Sequence, residues 1–112
     1  MSGYSGMWAW LIQRFSGIYI GLYVVAVALI VAFGGELDAA RWQGLFASPL
    51  MQAAASVFIV ALLFHAWIGL RDVVLDYIHP IAIKIPVLLV ILAMLLASGF
   101  WFLRALIQVD PT

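Results

Sequence analysis

At 112 residues the chain is long enough for one small domain. Hydrophobic residues make up 68% and charged residues 9%, against ~25% charged in an average soluble protein, so these charges cannot coat the surface of a soluble fold. A net charge of zero excludes a basic nucleic-acid binder. The absence of cysteine excludes disulfide scaffolds, thiolate zinc sites and iron–sulfur ligation, and disorder is incompatible with this hydrophobicity. What remains is an integral membrane protein.

Charge-free stretches cover residues 15–35, 42–70 and 85–103. A membrane helix needs ~20 mostly apolar residues to cross a hydrocarbon core of ~30 Å. The spacing predicts an all-α, single-domain chain over 1–112, with three transmembrane helices near 11–33, 51–78 and 85–107. The second is longer than a bilayer requires, and its last two turns are expected in the interface. Gly34-Gly35 closes the first span, because glycine takes the left-handed conformation that ends helices. Leu37, Trp42, Leu45 and Phe46 predict a short amphipathic piece on the membrane surface. Ser48 is placed to N-cap the second span, with Pro49 in its first turn. Pro80 ends that span, and Pro86 is expected at the start of the third.

Arg14, Arg71 and Lys84 fall on one side of this topology, and Arg41 and Arg104 on the other. The positive-inside rule therefore places the N-terminus in the cytoplasm. The start, MSGYSGMWAW, shows neither a basic region with a small-residue cleavage site nor an Arg-rich transit pattern. The expectation is a retained first span in a bacterial inner membrane, with the C-terminus in the periplasm. Tyr4, Trp8, Trp10, Trp42, Tyr77 and Trp101 fall mostly near span ends, as interfacial belts do.

His65 is the ionisable residue well inside a span, ~9 Å from Arg71 along the helix. Such residues usually face a bundle interior and mark function. Three readings are open: a haem axial ligand, a proton relay, or a neutral imidazole hydrogen-bonded to a neighbouring helix. Asp72 and Asp76 lie within ~20° of the His65 direction on a helical wheel. Gly69 leaves that stripe open to a flat ligand or another helix. The plain reading of Arg71 and Asp72 is mutual neutralisation at a solvated helix end. Arg14 lies on the same membrane side as the nearer end of the His65 helix. It is either a headgroup anchor or a bidentate partner for a cofactor carboxylate, such as the propionate of a haem held by His65. His79 lies ~21 Å from His65 along one helix and cannot share its iron. A bis-histidine iron would thus take its other ligand from another chain. Tyr77 is a belt residue, or a phenol donating to a quinone carbonyl with Asp76 and His79 close by to pass protons from water.

The run His65 to Pro80, HAWIGLRDVVLDYIHP, resembles the small hydrophobic membrane anchor of bacterial succinate:quinone oxidoreductases (succinate dehydrogenase, respiratory complex II). The matching positions are His65, Ala66, Trp67, Ile68, Gly69, Asp76, Tyr77 and Pro80. The first-loop residues Gly35, Glu36, Leu37, Trp42, Gly44, Phe46, Ala47 and Ser48 match as well, as does Arg14. The resemblance implies a bundle completed by a sister anchor subunit. It also implies a b-type haem between the two anchors, with His65 as one axial ligand and Arg14 near the propionates. Tyr77, with Asp76 beside it, would bind ubiquinone in a pocket shared with the sister anchor and the iron–sulfur subunit. FAD and the iron–sulfur clusters would sit on the flavoprotein and iron–sulfur subunits, so succinate would be oxidised away from this chain. Arg71, Asp72 and His79 receive no role from the resemblance. Two other functions compete: a purely structural anchor without haem, and a small transporter or proton-relay subunit. The sequence shows neither the inverted repeats nor the broken helices common in transporters.

Overall fold

The computed structural model describes residues 3–109, with side chains from residue 6 onward. It contains four helices and, among the described residues, no strand: α1 (Gly3–Phe33), α2 (Ala39–Ala47), α3 (Pro49–Tyr77) and α4 (Ile81–Ile107). Three segments are long and apolar enough to cross a membrane, Gly6–Phe33, Pro49–Tyr77 and Ile81–Ile107. The chain is an all-helical, multi-pass membrane protein.

Each boundary has a local cause. α1 stops where Gly35 takes φ 91°, a conformation that costs a side-chain-bearing residue ~1–2 kcal/mol. The guanidinium of Arg41 folds back over this end and donates to the carbonyls of Ile30 (2.6 Å) and Gly35 (2.6 Å). It thereby satisfies helix C-terminal carbonyls and places a cation at the negative end of the helix dipole. Asp38 caps α2, its carboxylate accepting from the Arg41 backbone N–H at 2.8 Å. This helix coincides with the short amphipathic piece expected from the sequence. Ser48 caps α3, with Pro49 in its first turn. The His79-Pro80 pair then ends α3, because the residue before proline is disfavoured in helical conformation.

α4 departs from expectation. It begins at Ile81, ahead of residue 85, and Pro86 lies inside it rather than at its start. The first turn is nucleated earlier by the Pro80 carbonyl, which accepts from the backbone of Ile83 (3.1 Å) and Lys84 (2.9 Å). α1 likewise begins at Gly3, ahead of residue 11, since no proline interrupts the segment between and Gly6 is tolerated within it. Helices of this length exceed the ~30 Å hydrocarbon core, so their ends project into the headgroups.

α3 is the central helix, packed between α1 and α4, with α2 against its N-terminal half. Little is buried: Ala55, Ile59, Ile68, Val74 and Leu106 form the apolar interior. That is expected in lipid, where association comes from close packing and interhelical hydrogen bonds rather than from escape from water. Gly99 admits the Leu63 side chain so closely that a β-carbon there would lie 2.5 Å from it. The Gln52 side chain donates to the carbonyls of Phe46 (2.6 Å) and Leu106 (2.9 Å), tying α2 and α4 to α3. Tyr19 donates to the Ala54 carbonyl at 2.7 Å, joining α1 to α3.

Candidate functional site

α1 and α3 run antiparallel, which brings the N-terminal half of α1 against the C-terminal half of α3. In this register Ser16 meets His65, with Ser16 Oγ 3.1 Å from Nδ1. Ser16 is 8% exposed, the one buried polar residue among those described, and its hydroxyl also donates to the Gln13 carbonyl at 3.2 Å. Gly17 lies directly against the imidazole, where a β-carbon would come within 3.3 Å of His65 Cε1 and 3.8 Å of Nδ1. The hydrogen-bonded reading of His65 is therefore present in the structure, and among the described residues the bond engages Nδ1. Nε2 is the ring nitrogen left for another partner, as a histidine ligand requires.

Gly69 is the gap expected one turn after His65, and a side chain of α1 approaches it. A β-carbon at Gly69 would stand 3.6 Å from the Gln13 side-chain nitrogen of α1. The Gln13 side-chain oxygen is buried and has no hydrogen-bond partner among the described residues. In an apolar environment such an orphan costs ~1–3 kcal/mol unless another molecule pairs with it.

Arg14, Gln13 and Gly17 share an open hollow of ≈ 560 Å³ with Trp10 and Ile18. Gly17 thus links the Arg14 hollow to the histidine ring. The Arg14 guanidinium lies over the Trp10 ring, 5.4 Å from its centroid. That stacking holds the cation at the helix surface.

Tyr77 is the last residue of α3 and is 78% exposed. Asp76 and His79 are exposed at the same end. Arg71 and Asp72 form the pair the sequence anticipates, at 3.1 Å on the surface. Such a pair contributes little to stability. The structure therefore joins His65 to the neighbourhood of Arg14 and leaves Tyr77 and Asp76 as a separate, outward-facing pair. No cluster of three or more His, Cys, Asp or Glu side chains suited to a metal ion occurs among the described residues. A bis-histidine iron at His65 would take its other ligand from another chain, since His79 is too far along the same helix. The belt residues Trp8, Trp10, Trp42 and Trp101 are exposed near helix ends, while the Tyr4 side chain lies outside those described.

Ser16, Gly17 and Gln13 carry no signal of their own in the sequence, being small or neutral residues in an apolar helix. Their relevance comes from the α1–α3 register. The one pattern that hints at it is Gly17 and Gly21 four residues apart, a spacing that favours close helix approach.

Comparison with known proteins agrees with this architecture. A family model described as succinate dehydrogenase/fumarate reductase transmembrane subunit matches residues 2–104. The succinate dehydrogenase hydrophobic membrane anchor subunit of Coxiella burnetii (strain RSA 493 / Nine Mile phase I) is 25% identical over 97 residues, 87% of this chain and 84% of that protein. With three membrane-spanning helices and a family match over nearly its whole length, the chain belongs to the succinate dehydrogenase/fumarate reductase transmembrane subunit family.

Proposed function

We propose that the chain anchors succinate dehydrogenase in a bacterial inner membrane, holds a b-type haem jointly with a sister anchor subunit, and contributes to the ubiquinone site. The observation that carries the haem assignment is the engagement of His65 Nδ1 by Ser16, which leaves Nε2 for the iron. The Arg14 hollow adjoins that ring through Gly17, so a guanidinium is available for a propionate. When bound, the haem would supply a one-electron redox centre within the bilayer. His65 would hold it from one side, and Arg14 would balance the carboxylate charge near the interface.

Tyr77 and Asp76 belong to the quinone end of the same proposal. Reducing ubiquinone takes two electrons and two protons, so its carbonyl oxygens need hydrogen-bond donors and access to water. The Tyr77 hydroxyl is a donor at the end of a membrane helix, and Asp76 beside it is exposed, so a path to water lies next to that donor. FAD and the iron–sulfur clusters sit on the flavoprotein and iron–sulfur subunits in this reading. Those two proteins dock on the cytoplasmic side, where the charge distribution places the N-terminus and the end of α3.

Replacing His65 by leucine in the assembled complex tests the ligand role. Leucine offers no ligand atom, and packing along α3 comes from many contacts. The expected result is an assembled complex with its low-spin b-type spectrum lost or strongly altered. An unchanged spectrum would remove the ligand assignment.

A further inference from the structure

We infer that Ser16 is a positioning residue for His65: its hydroxyl oxygen accepts a hydrogen bond from Nδ1–H, fixing the tautomer whose Nε2 lone pair is open and strengthening that nitrogen as an electron donor. The inference rests on the proposed haem ligation and adds to it a residue from a different helix.

The hydrogen inventory selects the direction of the bond. A serine hydroxyl has one hydrogen and two lone pairs. Here Ser16 stands between two groups, the Gln13 carbonyl at 3.2 Å and His65 Nδ1 at 3.1 Å. A carbonyl can only accept. If the hydroxyl hydrogen goes to Gln13, Nδ1 supplies the other hydrogen, and both contacts are hydrogen bonds. If the hydroxyl hydrogen goes to Nδ1 instead, the Gln13 contact becomes oxygen against oxygen, and the ring proton moves to Nε2. That arrangement has one hydrogen bond fewer. Ser16 is buried, so solvent does not level the difference.

Gly17 reinforces the orientation. A β-carbon there would meet Cε1 and Nδ1 of His65, whereas Nε2 is not among the atoms within 4 Å of that point. The α1 backbone thus runs alongside the Nδ1–Cε1 edge of the ring, next to the serine that bonds it. A histidine ligand is commonly oriented in this way, its second nitrogen held by a hydrogen bond that raises its basicity. A more basic ligand favours ferric over ferrous iron and so lowers the midpoint potential.

The test compares Ser16→Ala, Ser16→Thr and His65→Leu in the purified full complex, by redox titration of the haem and by the EPR spectrum of its ferric form. Threonine keeps the hydroxyl and can still bond a carbonyl one turn back; alanine deletes it. Ser16→Ala is expected to weaken the ferric preference by up to about tenfold, raising the midpoint potential by up to about 59 mV for one electron, with shifted ferric g-values. Ser16→Thr is expected to match the unsubstituted complex. A Ser16→Ala potential and EPR spectrum equal to the unsubstituted values, with the haem spectrum lost in His65→Leu, would overturn the role of Ser16 alone. Equal shifts in the alanine and threonine variants would do the same, assigning the effect to packing. An intact haem spectrum in His65→Leu would overturn the underlying ligation instead. If Ser16→Ala does not assemble, Ser16→Cys keeps the shape with a weaker acceptor. Its potential is expected above the unsubstituted value, and an unshifted one overturns the inference.

Discussion

Replacing Gly17 by alanine should disturb His65 while leaving the fold in place. The new β-carbon would lie 3.3 Å from Cε1, so the ring must give by a few tenths of an ångström. Overpacking of this kind costs ~1–3 kcal/mol, and the low end applies because an imidazole can tilt. Alanine recovers ~0.8–1.0 kcal/mol of helix propensity relative to glycine. The two terms nearly cancel, and the complex should assemble. The displacement is nevertheless comparable to the slack in the Ser16 bond, which at 3.1 Å is close to the ~3.2 Å limit for a good N–H···O bond. A functional group displaced by ~0.5 Å is already outside productive geometry. The assay is the haem-to-flavin ratio and the reduced-minus-oxidised spectrum of purified complex, with Gly21→Ala as control. Gly21 lies one turn further along α1 and has nothing within 4 Å of its β-carbon position. Gly17→Ala should lower haem content or shift the spectrum, and Gly21→Ala should do neither. Unaltered spectra in both variants, or equal loss in both, would refute the contact between α1 and His65 as the cause.

Tyr77→Phe keeps the ring and deletes the hydroxyl. Loss of a neutral hydrogen bond worth ~0.5–1.5 kcal/mol should weaken quinone affinity about 2- to 13-fold, while succinate oxidation with a soluble dye is unchanged. Equal loss of both activities would indicate an assembly role, and no loss would leave Tyr77 as a belt residue. Gln52→Leu removes the bonds to Phe46 and Leu106, each worth ~0.6 and at most ~1.7 kcal/mol in a bilayer. It should lower the thermal stability of the complex and spare the haem spectrum, because Gln52 lies ~20 Å from His65 along α3; a lost spectrum would contradict that separation. Cysteines placed at Ser5 and Ala40 report topology: a membrane-impermeant thiol reagent applied to intact cells should label Ala40→Cys and not Ser5→Cys, and the reverse pattern would invert the orientation.

Much of the architecture was legible before any coordinates because bilayer thickness imposes a length on every span. The charge gaps at 15–35, 42–70 and 85–103, the Gly34-Gly35 stop and the Ser48-Pro49 start are local signals, set by residues adjacent in the chain. The amphipathic α2 was readable for the same reason. The start of α4 was not, because Pro80 and Pro86 each offer a helix start, and the deciding factor was the Pro80 carbonyl accepting from Ile83 and Lys84. Arg41 was legible as a charge for the topology count but not as the group that closes the end of α1, which depends on the path of the intervening turn.

The candidate site divides along the same line. His65 declares itself because an ionisable group at membrane depth is costly and conspicuous, and Arg14, Asp76 and Tyr77 declare themselves as charged or phenolic groups close to the span ends. Ser16, Gly17 and Gln13 do not, because small or neutral residues are ordinary in a membrane helix. Only the antiparallel register of α1 on α3 turns Ser16 into the partner of His65 Nδ1, sets Gly17 against its ring, and makes Gly69 the place where Gln13 approaches. Hydrophobic length depends on the chain alone, whereas hydrogen-bond partnership between residues 16 and 65 exists only after two helices have packed.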